Sequence, residues 1–320
     1  MINGHGDDIH NYDHVRINFS SNIYGGFSHQ GLFEHLKASM HLITRYPEPS
    51  PLSLEKRLAE FHGIDSEEIM VTNGATEAIY LVARAFLDHE AVIPQPTFAE
   101  YADACMDNHG SKHMWWLCNP NNPTGHVVPK QELLDKITAH PDDIFVIDAS
   151  YAAYTQMETL SATEIVSHDN VIMLHSMTKD YGVPGIRLGY IIANRQLLQR
   201  ISGHRMPWSV NALAIEAGKY LLDHRAEYTL PLASLIAERK RMEGEMLAIG
   251  ITTSPSDSNM LLCFLPRGTA SELKDYLARN HGILIRDASN FNTLTPRHFR
   301  VAVQSASQND QLINALKQWI

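Results

Sequence analysis

The sequence has few cysteines, fewer basic than acidic residues and no long apolar run, and each shortage excludes a class of protein. The three cysteines, Cys105, Cys118 and Cys263, lie far apart among apolar neighbours. This spacing argues against a disulfide framework or a CxxC zinc site and predicts buried thiols. The 26 lysines and arginines against 36 aspartates and glutamates give a net charge of −10, which argues against a protein that mainly binds nucleic acid.

Hydropathy gives no sign of a membrane partner. Residues 1–14 are polar and lack the basic-then-apolar order of a secretion signal, and no stretch reaches the roughly 18 to 20 apolar residues of a membrane span. We therefore expect a soluble, cytoplasmic protein. A chain of 320 residues of which 44% are hydrophobic can bury a large core and form two domains.

Short apolar strands alternate with helices through the first two thirds of the chain. The strand candidates lie at residues 68–71, 91–94, 112–118, 144–148 and 171–175. This alternation predicts an α/β fold with a mostly parallel central sheet and helices on both faces. In such sheets, binding sites form at the carboxyl ends of the strands.

The pattern changes after residue 194, where helices predominate before a second, smaller set of strands begins. A long helix is predicted at 226–248, and a small α+β unit follows, with strands at 259–265, 283–286 and 299–303. We therefore divide the chain into an amino-terminal arm with part of the small domain (1–40), a large domain (41–225) and a small domain (226–320).

Three segments place polar groups or aromatic rings where strands of the large domain should end. A glycine turn opens the helix that begins near residue 74, and the free N–H groups of Ala75 and Thr76 are suited to a phosphate. Phe98 follows the next strand and is suited to stacking on a heteroaromatic ligand. Residues 119–125 contain two prolines, which fix an irregular turn and direct the side chain of Asn122. Each segment alone also fits a plainer role in capping, packing or turn formation.

Two further segments carry charge. Asp148 closes an apolar strand, with Tyr151 three residues later, and an ionised carboxylate there is costly unless it meets a cation. Lys179 follows another apolar strand, between Ser176 and Arg187, and a lysine held there can act as a nucleophilic amine. A structural ion pair and a surface lysine are the plainer alternatives.

Together the five segments supply an amine, a carboxylate, a stacking ring, a phosphate site and donors for a phenolate, which are the groups that bind pyridoxal 5′-phosphate. In these motifs and their order, the sequence resembles the fold-type I pyridoxal-phosphate enzymes of the aminotransferase class I/II superfamily. The resemblance runs almost end to end and implies that fold. Only seventeen residues separate Tyr101 from Asn119, so we expect a trimmed large domain whose sheet is one strand short.

The resemblance implies a role for each motif residue. Lys179 would form a Schiff base with the cofactor, Asp148 would pair with the pyridinium nitrogen, and Phe98 would stack on the ring. Asn122 and Tyr151 would contact the phenolate oxygen. The phosphate would be held by Ala75, Thr76, Ser176 and Arg187. Tyr46 would reach the site from a partner subunit, which implies a homodimer with its active sites at the interface.

Two activities of the superfamily compete. The expected one is decarboxylation of L-threonine O-3-phosphate to (R)-1-aminopropan-2-yl phosphate in cobalamin biosynthesis, because residues 205–214, 283–290 and 299–309 are similar to that enzyme. The alternative is an aminotransferase of the histidinol-phosphate type. In both, Arg300 would bind a carboxylate and Arg286 with His5 a remote phosphate, while Asn22 and Asn122 would also contact the substrate. The bond of the substrate Cα that lies perpendicular to the cofactor ring decides which of the two reactions takes place.

Some features depart from the pattern or invite other interpretations. Asp7 and Asp8 stand where the decarboxylases have glycine and asparagine, so two carboxylates are expected near the substrate phosphate. His10 and His14 have helical spacing for a metal, but the segment disfavours a helix and no third ligand is evident, so we predict no metal site. A non-catalytic module that keeps the cofactor pocket is a further alternative. The intact set of charged motif residues argues against it.

Overall fold

The computed structural model describes residues 6–320. A six-stranded sheet forms the centre of the large part of the chain, in the order β2-β7-β6-β5-β4-β3. Its strands are β2 (Ile69–Thr72), β3 (His89–Val92), β4 (Lys112–Cys118), β5 (Ile144–Asp148), β6 (Val171–Ser176) and β7 (Gly189–Ala193). Strands β3 to β6 pair in parallel, whereas β7 is antiparallel to both β2 and β6. The prediction of a mostly parallel sheet is confirmed, but the sequence analysis did not predict β7, which begins two residues after Arg187.

Helices cover both faces of this sheet. They are α1 (Gln30–Ala38), α2 (Leu52–His62), α3 (Gly74–Ala85), α4 (Glu100–Ala104), α5 (Lys130–Ala139), α6 (Ala162–Val166), α7 (Met177–Asp180), α8 (Arg195–Ser202) and α9 (Ala212–Asp223). Alternate residues of a strand enter different cores: Phe145 and Ile147 pack on one face, and Ile144 and Val146 on the other. A strand buried on both faces explains the continuous apolar runs in the sequence.

A second, antiparallel sheet of four strands follows in the order β11-β12-β9-β8, with a short parallel pair β1-β10 beside it. The strands are β1 (Ile17–Asn18), β8 (Thr252–Thr253), β9 (Met260–Phe264), β10 (Ile283–Leu284), β11 (Arg286–Asp287) and β12 (His298–Ala302), and the helices are α10 (Leu232–Ala248), α11 (Ala270–His281) and α12 (Ala306–Trp319). Because β1 pairs with β10, the amino-terminal arm joins this unit. The domain boundaries near 40 and 225 stay predictions.

Several predicted element bounds are wrong in detail. The helix expected over 226–248 begins only at Leu232, after Pro231, because proline lacks the N–H that would continue a preceding helix. Near the amino terminus, α1 ends at Ala38 and is followed by a 3₁₀ turn, Met40–Thr44. Gly63 ends α2 in the left-handed conformation, with φ of 68°, as expected for a glycine after a helix.

Within residues 102–118, the shortened stretch after Tyr101, the described structure holds only the end of α4, a turn and β4. All three cysteines are buried and unpaired. Among the described residues, no helix is both long and apolar enough to cross a membrane.

Candidate active site

A cavity of about 450 Å³ opens at the carboxyl ends of β5 and β6. Twelve of the fourteen residues that the sequence analysis assigned to the site line it: Asn22, Ala75, Thr76, Phe98, Asn122, Asp148, Tyr151, Ser176, Lys179, Arg187, Arg286 and Arg300. These residues come from both sheets and from the arm, so the fold brings together groups that are up to 278 positions apart in the sequence.

Lys179 lies in the short helix α7, directly after β6 ends at Ser176. Its Nζ donates a hydrogen bond to the Ser21 carbonyl oxygen at 3.1 Å. Burial, together with the nearby charge of Arg300, lowers the pKa of the Lys179 amine to about 8. A depressed pKa increases the fraction of neutral amine at neutral pH, which is the form that attacks an aldehyde.

Asp148 ends the neighbouring strand β5 and is buried. Its Oδ2 accepts a hydrogen bond from the Tyr101 hydroxyl at 2.6 Å, and its Oδ1 accepts one from the Ser150 backbone N–H at 2.9 Å. Tyr101 is 0% exposed and stacks on Trp116 with 5.2 Å between ring centroids. Two fixed donors therefore orient the carboxylate within the cavity.

Tyr151 is buried, and its hydroxyl accepts a hydrogen bond from Asn22 Nδ2 at 3.3 Å. Burial raises the pKa of Tyr151 to about 12, so the hydroxyl stays protonated at neutral pH and can donate. Asn22 itself is 2% exposed and holds a left-handed backbone, with φ of 55°. Among the described residues, its Oδ1 has no hydrogen-bond partner.

The first turn of α3 forms a cradle with Arg187. Gly74 has φ of +79°, and a Cβ at this position would lie 2.5 Å from Arg187 Nη2. A side chain here would therefore displace the guanidinium, and the positive φ itself favours glycine. The free N–H groups of the helix start and a guanidinium converge here, which is an arrangement suited to an anion. Ser176 and Thr178 both line the cavity, and their hydroxyl groups form a hydrogen bond of 2.6 Å.

Arg286 and Arg300 line the opposite side of the cavity and are both buried. Arg300 donates to Asn122 Oδ1 and to the Ser20 carbonyl oxygen. Arg286 donates to Asn290 Oδ1 at 2.7 Å. Burial, together with the charge of Arg286, lowers the pKa of Arg300 to about 9.

Of the other two predicted site residues, only Tyr46 is described by the structure. Tyr46 is 87% exposed, does not line the cavity and contacts Trp208 with 5.5 Å between ring centroids. His5 lies outside the described residues. Of the two expected carboxylates, Asp7 lines the cavity, whereas Asp8 turns to Lys274 and forms an ion pair at 2.6 Å. Among the described residues, no cluster of three metal-binding side chains is found.

The sequence analysis missed Tyr101 as a partner of Asp148 and Thr178 as a cavity residue. Tyr101 was considered only as the boundary of the shortened stretch, and it lies 47 positions before Asp148 in the sequence. The signal that could have found Thr178 is its place between Ser176 and Lys179, within one helical turn. No local pattern links Tyr101 to Asp148.

The residues of the cavity fit pyridoxal 5′-phosphate. Lys179 and Asp148 follow adjacent parallel strands and face one cavity, as the aldehyde and ring nitrogen of the cofactor require. The cradle of Gly74 and Arg187 is suited to its phosphate. Arg300 Nε is buried without a partner among the described residues, and an unpaired buried donor of this kind indicates a ligand.

Comparisons with known proteins agree with this chemistry. The family model described as aminotransferase class I and II matches residues 15–115 and 108–316. The crystal structure of L-threonine-O-3-phosphate decarboxylase from Porphyromonas gingivalis is 37% identical, with a TM-score of 0.92 over 95% of this chain and 99% of that one. A histidinol-phosphate aminotransferase from Symbiobacterium thermophilum is 30% identical over 88% of this chain and 84% of its own length.

A further solved structure, histidinol-phosphate aminotransferase from Sinorhizobium meliloti in complex with pyridoxal-5′-phosphate, has a TM-score of 0.82 and 17% identity over 95% of this chain and 90% of that one. At this identity the similarity shows the fold alone. The shared fold confirms the predicted architecture of a mostly parallel central sheet with helices on both faces.

Proposed function

Because the chain belongs to the aminotransferase class I and II family and is therefore a pyridoxal-phosphate enzyme, we propose that it decarboxylates L-threonine O-3-phosphate. The products are CO₂ and (R)-1-aminopropan-2-yl phosphate, an intermediate of cobalamin biosynthesis. The observation that carries the substrate class is the pair of buried arginines, Arg286 and Arg300, in the cavity that holds Lys179 and Asp148. Two guanidiniums suit a substrate with an anion at each end.

The bound cofactor supplies an electron sink for the bond that breaks at the substrate Cα. Asp148, oriented by Tyr101 and Ser150, would hold the proton on the cofactor ring nitrogen. Ala75, Thr76, Ser176 and Arg187 would hold the phosphate, and Phe98 would cover the ring. These roles place each charge of the cofactor beside a group of opposite charge or a donor.

Lys179 and Tyr151 are the proton-carrying groups of the cavity. The amine of Lys179, with its pKa lowered to about 8 by burial, can accept and return a proton near neutral pH. Tyr151 keeps its hydroxyl proton because burial raises its pKa to about 12, and it would donate to the cofactor oxygen together with Asn122. After loss of CO₂, Lys179 in its ammonium form would donate the proton that replaces the carboxylate on Cα, and it would regain a proton from solvent.

Arg300 would bind the substrate carboxylate, and Arg286 would bind the remote phosphate. Asn22, a residue of the arm that donates to the Tyr151 hydroxyl, would also contact the substrate. Both arginines serve either reaction of the family. The 37% identity to the Porphyromonas gingivalis decarboxylase over 95% of this chain supports decarboxylation. Residues 205–214 are one segment that carries this resemblance.

The test is to incubate the purified yellow protein with L-threonine O-3-phosphate and to measure CO₂ and aminopropanol phosphate. Lys179→Ala should abolish both products, and borohydride should fix the cofactor to Lys179 in the wild-type protein only. Amino transfer from histidinol phosphate to 2-oxoglutarate, without CO₂ release, would replace this proposal with the aminotransferase alternative. A colourless protein would support the non-catalytic alternative.

The exposed position of Tyr46, outside the cavity of its own chain, supports a homodimer in which Tyr46 contacts the cofactor phosphate of the partner. Mixing inactive Lys179→Ala with Tyr46→Ala subunits should then restore activity, because one site of each mixed dimer has both residues. If the mixture stays inactive although the subunits exchange, Tyr46 acts within its own chain or not at all.

A further inference from the structure

Residues 175–181 form a wall between the cofactor cavity, which Lys179 and Asp148 line, and a second cavity of about 440 Å³. Among the described residues, the two cavities share no lining residue. Ser176, Thr178 and Lys179 line the cofactor cavity. The side chains of the wall that line the second cavity are those of His175, Met177, Asp180 and Tyr181. The backbone that carries Lys179 is therefore flanked by a cavity on each side.

An ion pair in the second cavity joins the strand before Lys179 to the residue after it. His175 Nδ1 lies 3.2 Å from Asp180 Oδ2, and the two side chains are 15% and 17% exposed. His175 is the penultimate residue of β6, and Asp180 is the last residue of α7. Since α7 has only four residues, it has little stability of its own. The pair therefore ties the end of α7 to the strand, with Lys179 between the two partners.

His175 is held in turn by β7 and α2. Its ring stacks on Tyr190 with 4.8 Å between ring centroids and 4° between the planes, and the Tyr190 hydroxyl shares a hydrogen bond of 2.9 Å with His62 Nε2. Burial, together with the charge of His175, lowers the pKa of His62 to about 4, so His62 is neutral at neutral pH. Burial also opposes the charged form of His175, but the carboxylate of Asp180 outweighs burial and raises the pKa of His175 above its ordinary value. The surroundings of the pair therefore favour its charged form.

Lys179 itself is held at both ends of the residue. Its Nζ donates to the Ser21 carbonyl oxygen, and its backbone carbonyl oxygen accepts a hydrogen bond from the Tyr154 hydroxyl at 2.8 Å. Besides burial, the charges that shift the pKa of the amine are those of Arg300, Asp7, Arg187 and Asp148. Asp180 is not among them although it is the next residue, so its influence on Lys179 runs through the backbone of α7.

We propose that the ion pair of His175 and Asp180 is a positioning pair, which holds the Lys179 amine where it can attack the cofactor aldehyde. The inference rests on the proposed function, in which Lys179 captures the cofactor. Neither partner lines the cofactor cavity, so the pair acts through α7. Attack requires the reacting atoms to lie about 3 to 3.5 Å apart, and a displacement of about 1 Å can slow a reaction by about a hundredfold. Loss of the pair should therefore slow capture without weakening the rest of the cofactor site.

Two forms of the cofactor separate the position of Lys179 from the rest of the site. Pyridoxal 5′-phosphate has the aldehyde that bonds to Lys179. Pyridoxamine 5′-phosphate has the same ring and phosphate with an amine in place of the aldehyde, so it cannot form this bond. With the cofactor-free full chain at neutral pH, stopped-flow absorbance measures the rate of capture of the first, and calorimetry measures the dissociation constant of the second. His175→Phe keeps a ring that can stack on Tyr190, Asp180→Asn keeps the shape of the carboxylate, and both remove the ion pair.

His126→Phe is the matched control, because it breaks an ion pair with Asp257 that is also 3.2 Å long and that lines neither cavity. This control should capture the cofactor at the wild-type rate. His175→Phe and Asp180→Asn should each slow capture by about tenfold or more, while the dissociation constant of pyridoxamine phosphate stays within about twofold of wild type. Because each change breaks the same pair, the double variant should be no slower than the slower single variant.

Unchanged capture in both variants, or a double variant in which the two losses multiply, would overturn the proposal. A loss of pyridoxamine phosphate affinity that equals the loss in capture rate would overturn it as well, because the pair would then support the whole cavity, and a variant that fails to fold gives this same result. All of these outcomes leave the proposed function intact. If borohydride fixes no cofactor to Lys179 in the wild-type protein, the proposed role of Lys179 fails, and the positioning pair fails with it.

Discussion

Arg286 and Arg300 are direct cross-strand partners in the antiparallel pair of β11 and β12. Both are buried, and both face the cavity. Like charges placed opposite each other in a sheet are destabilising, and here the charge of Arg286 adds to burial in lowering the pKa of Arg300 to about 9. An anionic ligand that bridges the two guanidiniums would relieve this repulsion. The pair therefore destabilises the ligand-free protein and favours ligand binding.

Arg286→Gln should therefore have opposite effects on stability and on binding. Loss of the cross-strand repulsion should raise the free energy of unfolding by about 0.5 kcal/mol at low salt. Loss of the charged donor should weaken binding of 3-phosphooxypropanoate by about tenfold or more. Urea denaturation and calorimetry give the two quantities. Arg84→Gln, an exposed change on α3, should alter neither, and a fall in stability for Arg286→Gln would contradict the expectation.

Gly74→Ala should weaken cofactor binding, whereas Gly63→Ala should not. Both glycines have positive φ, 79° and 68°, but a Cβ at Gly74 meets Arg187 Nη2 at 2.5 Å and one at Gly63 meets nothing within 4 Å. Each change should lower the free energy of unfolding by about 1 kcal/mol through backbone strain. Only Gly74→Ala should also release the cofactor more easily, by about tenfold, in an absorbance titration. Equal cofactor affinity in the two variants would argue against the phosphate cradle.

The rate at which the cofactor-free protein captures pyridoxal phosphate should rise with pH to a midpoint near 8. Only the neutral amine attacks the aldehyde, and burial together with Arg300 lowers the pKa of Lys179 from its usual value to about 8. The sign is that of a cationic group with a lowered pKa: the neutral form is gained as pH rises through the folded-state pKa. Arg300→Gln should move the midpoint upward. A midpoint that does not respond to this change would show that Arg300 does not act on the amine.

Tyr101→Phe should disturb the cofactor more than it disturbs the fold. The variant leaves the buried Oδ2 of Asp148 without its donor at 2.6 Å, which costs roughly 1 to 3 kcal/mol. Cofactor affinity should fall about tenfold or more, with a change in the cofactor absorbance spectrum. Tyr80→Phe is the matched control, because the Tyr80 hydroxyl donates to Glu100 at 3.0 Å and Tyr80 does not line the cavity. Identical cofactor spectra for Tyr101→Phe and Tyr80→Phe would show that Tyr101 does not act on the cofactor through Asp148.

Part of the site that the sequence predicted consists of residues at the end of an apolar strand. Asp148 and Lys179 were found this way, because a polar residue at the end of a buried strand stands out against its neighbours. Strand β7 was not predicted although it pairs on both sides, because Gly189–Ala193 directly follows the lysine motif, which was interpreted for its chemistry. Pro231 predicts that a helix cannot run through this position, but the sequence analysis overlooked it, and α10 begins at the next residue.

The sequence by itself determined the alternation of strands and helices, the order of the cofactor motifs and the candidate amine, because these depend on local pattern and on the chemical nature of single residues. Only the tertiary structure decided that Arg286 opposes Arg300, that Tyr101 donates to Asp148, and that Asp7 faces the cavity while Asp8 pairs with Lys274. These contacts join distant segments, and strand register and side-chain direction, which set them, are fixed by the packing of the whole chain and not by any local stretch of it.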